Sequence, residues 1–155
     1  MKLLLSILFV CLIAKPILAQ VTEPEPYIKK SFCIILSTKS YTEADKVAQQ
    51  AAKKLNVKLD YRNLEPNKKI GLTLPKDTED PEASYPFYYA RGRFDNGNYI
   101  SIEYSNAYVG FAKGYYIVIA SSGDIAAVKK DAIAARKYYK QAYVKNTKVY
   151  VGCMH

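Results

Sequence analysis

Seven side chains, Tyr88, Tyr89, Arg91, Arg93, Tyr99, Tyr104 and Tyr108, form a concentrated set of flat rings and directional donors in the sequence. Eight of the 15 tyrosines fall between Tyr85 and Tyr116. Tyrosine offers a large contact area with little rotamer freedom to lose, and a guanidinium presents a planar fork of donors, so the set suits ligand binding. Packing of each ring against a sheet, with its hydroxyl at the rim, is the competing reading.

The means for bond-making chemistry are thin. His155 is the single histidine and the last residue, so no histidine is placed to serve a cysteine or serine nucleophile. Asp77, Glu79, Asp80 and Glu82 are clustered between Pro75 and Pro86, but without the spacing of a carboxylate pair for glycan hydrolysis. The cluster also lacks the alternating ligands and turn glycine of a calcium loop. Neither a phosphate-cradling glycine loop nor a metal-ligand motif occurs. A non-catalytic protein without metal or cofactor is the expectation.

The elements that must position the tyrosines and arginines are legible in two repeats. Phe32 to Leu55 and Tyr116 to Tyr139 each read as an apolar run, small hydroxyl residues and an amphipathic helix, 84 residues apart. Tyr41, Ala44, Ala48, Ala51 and Leu55 match Ile125, Val128, Ala132, Ala135 and Tyr139, the spacing of one helix face. Ser40 with Glu43, or Thr42 with Asp45, can open the first helix; Ser122 or Asp124 can cap the second. Asn56 is a natural stop for the first. Strands are expected over Val57 to Tyr61, over Ile70 to Leu74, and from about Ala142 to Cys153.

Asp95-Asn96-Gly97-Asn98 predicts a tight turn joining Tyr88 to Phe94 with Tyr99 to Tyr104, because asparagine and glycine tolerate positive φ. Arg91 and Arg93 then share one face of the hairpin, and Ser101 and Glu103 one face of its return strand. Ser105 to Gly114 reads as a loop presenting Tyr108 and Phe111.

Doubling of strand, helix and strand gives the order βαββαβ, a ferredoxin-like α+β fold with two helices on one face of an antiparallel sheet and the tyrosine-rich hairpin as an insertion. In it the last strand lies antiparallel beside the first, which would bring Cys153 near Cys33; a disulfide is expected, with paired free thiols as the alternative. Both parities of Phe32 to Leu36 and Tyr116 to Ala120 are largely apolar, so the face away from the helices needs a cover. The hairpin, neighbouring loops or a second copy of the chain could supply it.

Residues 1–19, MKLLLSILFVCLIAKPILA, have the charged start, short apolar core and small-residue end of a secretory signal, with cleavage expected after Ala19. The remaining 136 residues suffice for a single domain, and no further transmembrane segment is expected. Lys2 and Lys15 leave with the signal, so 21 basic residues face 14 acidic ones and the mature balance is +7. An anionic envelope surface, acidic polysaccharide or acidic protein suits that balance; export argues against nucleic acid.

Tyr116-Ile117-Val118-Ile119-Ala120-Ser121-Ser122, and more weakly Phe32-Cys33-Ile34-Ile35-Leu36-Ser37, resemble the SPOR family of small bacterial envelope domains. The shared pattern is a strand opening on an aromatic, followed by small residues and an alanine-rich helix. Ile34 and Val118 stand where that family commonly has a polar residue. The resemblance implies a βαββαβ fold and recognition of septal peptidoglycan glycan. Two readings therefore remain open from sequence: a periplasmic or secreted glycan-binding domain, and an exported protein-interaction or structural domain, with a homodimer through the sheet face as one form.

Overall fold

A computed structural model describes residues 26–78, 85–93 and 97–152. The expected signal therefore lies outside the described residues, as do Glu79, Asp80, Glu82, Phe94, Asp95, Asn96, Cys153 and His155. Chain order is β1 (Tyr27–Thr38), α1 (Tyr41–Leu55), β2 (Glu65–Asn67), β3 (Gly71–Thr73), β4 (Ser101–Tyr104), a 3-10 turn (Ser105–Ala107), β5 (Tyr116–Gly123), α2 (Ile125–Arg136) and β6 (Tyr143–Tyr150). Four strands form one antiparallel sheet in the order β4-β5-β1-β6, and β2 pairs with β3.

Both helices start and bury as their sequences dictate. Ser40 caps α1 by accepting from the Glu43 N–H at 3.2 Å, and Asn56 ends it in the left-handed region at φ 53°. The Glu43 carboxylate accepts from the Thr38 hydroxyl. Asp124 caps α2 by accepting from Ala126 and Ala127 at 2.8 and 3.2 Å. Ala44, Ala48 and Ala51 of α1 and Val128, Ala132 and Ala135 of α2 are buried in one cluster with Cys33, Ile35, Ile102 and Val118. The two helices thus share one face of the sheet, their small residues allowing close approach.

Phe32 and Ile34 pair with Ser122 and Ile119, joining the two repeats. β1 is longer than its apolar centre suggests, because Tyr27 to Ser31 pair with β6 from Tyr150 to Asn146. This extension shifts the end of β6 away from Cys33, which lies opposite Val144. The Val151 N–H donates to the Pro26 carbonyl at 2.6 Å, seven residues before Cys33, a strand length of roughly 23 Å. The end of β6 thus meets the start of β1, as expected, but that start lies at Tyr27 and not beside Cys33; Cys153 itself lies outside the described residues. Cys33 is a free buried thiol, and burial, reinforced by nearby Asp131, pushes its pKa up to about 11.

The expected hairpin is replaced by a different arrangement. Residues 88–93 form no strand, and β4 pairs with β5 instead, Ser101 opposite Ile119 and Glu103 opposite Ile117. Residues 58–60 bond to Ile100, with one parallel bridge at Leu59. Thr73 and Leu74 hold residue 87: the Thr73 hydroxyl accepts from the Phe87 N–H at 2.9 Å, and the Leu74 N–H donates to the Phe87 carbonyl at 2.8 Å. At Gly71, with φ +86°, a Cβ would come within 2.3 Å of the Tyr104 ring, so only glycine lets the β2–β3 hairpin sit there.

A second apolar cluster, on the face away from the helices, contains Phe32, Ile34, Ile117, Ile119 and Val149 under Tyr108, with Ala90, Phe111 and Tyr115 packed against it. The chain's own loops supply the cover, and a sheet-to-sheet dimer would meet those loops. Among the described residues no helix is long and apolar enough to cross a membrane.

Candidate functional site

Alternation in β4 sends Ile100 and Ile102 to the helix side and Ser101 and Glu103 to the other. Segment 87–93 and Tyr108 close over that second side, so the polar stripe becomes interior. Glu103 and Arg91 are both fully buried.

Four donor groups make five hydrogen bonds to the Glu103 carboxylate. Arg62 reaches its two oxygens at 2.9 and 2.8 Å, Tyr108 donates at 3.2 Å, the Arg91 backbone N–H donates at 3.2 Å, and the Tyr88 hydroxyl also donates. Tyr88 in turn accepts from the Tyr104 N–H at 3.2 Å. Arg62, itself at a positive φ of 56°, also donates to the Tyr89 carbonyl at 3.1 Å. Burial works against the Arg62 charge, but the adjacent Glu103 carboxylate outweighs it and holds the guanidinium protonated.

Arg91 lies beside this pair as a clamp. Its guanidinium donates to the carbonyls of Gly97 at 2.7 Å, Tyr99 at 2.8 Å and Ile119 at 3.3 Å, and to the Ser101 hydroxyl at 3.1 Å. It stacks 3.6 Å from the centre of the Tyr99 ring. One side chain thereby ties residues 97–99 to β4 and β5.

The seven side chains expected to form an exposed recognition surface are thus divided. Tyr88, Arg91, Tyr99 and Tyr108 join the polar network, Tyr88 and Tyr99 as half-buried residues. Tyr104 packs on Tyr116, with ring centres 5.1 Å apart. Tyr89 packs edge-on against Phe87 at 4.4 Å. Arg93 donates to the Gly152 carbonyl and lies over the Tyr89 and Tyr150 rings at 5.9 and 5.3 Å. Arg62 and Glu103 are the members missed as a pair. The signal available in the sequence was the polar parity of Ser101 and Glu103, which suited a solvent face equally well.

Four of the five hydrogen bonds to this buried carboxylate fall on Oε2, so Glu103 ties Arg62, Tyr88, Tyr108 and the Arg91 backbone together as a structural clamp. Its phenols are neutral donors: burial first, and then the Glu103 charge, raise Tyr88 and Tyr108 well above the usual tyrosine value. In the unfolded chain both titrate near pH 10. Because the folded values are raised, the stability they contribute is complete below about pH 10 and falls as pH rises above it. Alkaline titration followed by phenolate absorbance and circular dichroism should show these two rings ionising only with unfolding. Their gradual ionisation in a chain that keeps its native spectrum would refute the clamp.

An open groove of about 180 Å³ lies on the same side of the sheet, lined by Ser37, Ser105, Phe111, Ala112, Tyr115, Ile117 and Tyr143. The Ser37 and Tyr143 hydroxyls are 3.3 Å apart at its edge. Lys39 Nζ stands 5.6 Å from the centre of the Tyr115 ring, and Lys145 Nζ 5.4 Å from that of Phe111. Rings, hydroxyls and ammonium groups therefore meet at one accessible place, with β1, β5 and β6 fixing Ser37, Ile117 and Tyr143. The sequence indicated a loop presenting Phe111 but not its convergence with the distant Tyr143. Among the described residues no group of three or more histidine, cysteine and acidic side chains is arranged for a metal. No family model, curated protein or solved structure matches this chain.

Proposed function

We propose that residues 20–155 form an exported, non-catalytic domain that binds a cell-envelope glycan, with the Phe111, Tyr115 and Tyr143 groove as its contact surface. The carrying observation is that groove: accessible ring faces suit sugar C–H surfaces, Ser37 and Tyr143 offer hydroxyl partners, and Lys39 and Lys145 suit acidic substituents. The secretory character of residues 1–19 and the SPOR-like strand and helix repeats support the same reading. So does the sheet order β4-β5-β1-β6, which is the order of a ferredoxin-like βαββαβ sheet once β2 and β3 are taken as an insertion.

The domain acts by retention at the wall without changing the polymer. Residues 20–155 should co-sediment with insoluble peptidoglycan, and intact against amidase-treated material separates glycan from peptide recognition. Tyr115→Ala and Tyr143→Ala should each weaken retention roughly 2- to 10-fold with an unchanged circular dichroism spectrum. No retention of folded wild-type protein at low salt would refute glycan binding and favour a protein partner. Release of soluble sugar products would refute the non-catalytic assignment.

A further inference from the structure

α2 carries Lys129, Lys130 and Arg136, with Lys137 capping its C-terminus, at or beside its exposed side, and Ile133 lies among them at 65% exposure. The spacing explains the grouping. Val128, Ala132 and Ala135 occupy the core stripe, so Lys129, Lys130, Ile133 and Lys137 fall together on the outward arc. The sole acid within α2, Asp131, instead lines the seam to α1 with Leu55, Val57 and Ala134. No carboxylate pairs with Lys129, Lys130 or Lys137 among the described residues. Solvation accounts for the lysines alone, but an isoleucine with its side chain in water, centred in a cationic ring, gains from an environment that is anionic at its surface and apolar beneath.

We infer that the outer face of α2 docks on an anionic lipid bilayer, the lysines contacting phosphate headgroups while Ile133 enters the acyl boundary. Lysine stems are long enough to keep the ammonium groups at headgroup level as the isoleucine goes deeper. This surface lies on the helix side of the sheet, away from the aromatic groove, and does not depend on glycan binding.

The test uses residues 20–155, which hold every described element and omit the apolar leader that would partition by itself. Co-sedimentation is measured with phosphatidylglycerol–phosphatidylcholine vesicles and with phosphatidylcholine alone. Wild-type protein should partition to the anionic vesicles and lose most of that binding at high salt. Lys129→Gln/Lys130→Gln/Lys137→Gln should weaken partitioning on the order of 100-fold at low salt, from about fivefold per lysine. Ile133→Ser should weaken it several-fold at every salt concentration, since insertion of an apolar side chain is not screened. Removing the same charge elsewhere, with Lys68→Gln/Lys69→Gln/Lys76→Gln, should leave more than half of the binding. Failure of folded wild-type protein to bind anionic vesicles at low salt overturns the inference. So does an Ile133→Ser variant that binds like wild type, because charge alone would then suffice, or an equal loss in the control variant.

Discussion

Glu103→Ala is expected to destabilise the fold by roughly 3–5 kcal/mol, the range for removing one partner from a buried ion pair. The magnitude follows from what is left behind. Arg62, with 17% of its side chain exposed, would keep its charge without a counter-ion, and Tyr88, Tyr108 and the Arg91 N–H would lose their shared acceptor. Glu103→Gln should lose less, since its amide oxygen still accepts from the phenols, yet its amide hydrogens would oppose Arg62. An apolar pair, Arg62→Met/Glu103→Leu, should recover part of the loss because neither charge then remains buried. Urea unfolding measures all four chains, with the midpoint moving at constant slope. A Glu103→Ala loss below about 1 kcal/mol would show that Arg62 escapes to water and that the pair is not a clamp.

Arg91→Met should lower stability by roughly 3 kcal/mol, by a different route. Methionine fills much of the volume but supplies no donor to the Gly97, Tyr99 and Ile119 carbonyls, and it removes the cation from the Tyr99 ring. Arg91→Lys should rescue little. A single ammonium cannot reproduce a planar fork that reaches Gly97 with one nitrogen and Tyr99, Ser101 and Ile119 with another. Hydrogen exchange adds a local readout: the Gly97 and Ser122 amides, which donate to each other's carbonyls at 3.3 and 3.2 Å, should lose protection before β1 does. Near-wild-type stability of Arg91→Lys would contradict this account.

The helix repeats were readable because their information is local. Ser40, Asn56 and Asp124 mark ends through neighbours within four residues, and the alanine stripes repeat at the helical period. Pairing of Phe32 and Ile34 with β5 followed from two similar apolar runs of matched length. The hairpin failed because its evidence was also local while the deciding contacts were not. Glu103 is drawn inside by Arg62, 41 positions earlier, and Arg91 finds its Ile119 acceptor 28 positions later. A tyrosine-rich run near polar residues therefore signalled an accessible face, although Tyr108 packs on Phe32 and on Glu103. The strand register around Cys33 was hidden for a related reason. Tyr27 to Ser31 contain no strong buried alternation, yet their pairing with β6 sets the register of the whole edge.

The central position of β1 governs the order in which the molecule can be made. Synthesis delivers this strand first, but its partners come late: Ile34 meets Ile119, and Tyr27 meets Tyr150. Until β5 has emerged, Phe32 to Ile35 have neither neighbouring strand, and the partly made chain carries an apolar segment open to association. Such distant pairing slows folding and lengthens that exposure. Truncation before Tyr143 would remove β6 and leave the whole β1 edge from Tyr27 to Ile34 without its second partner.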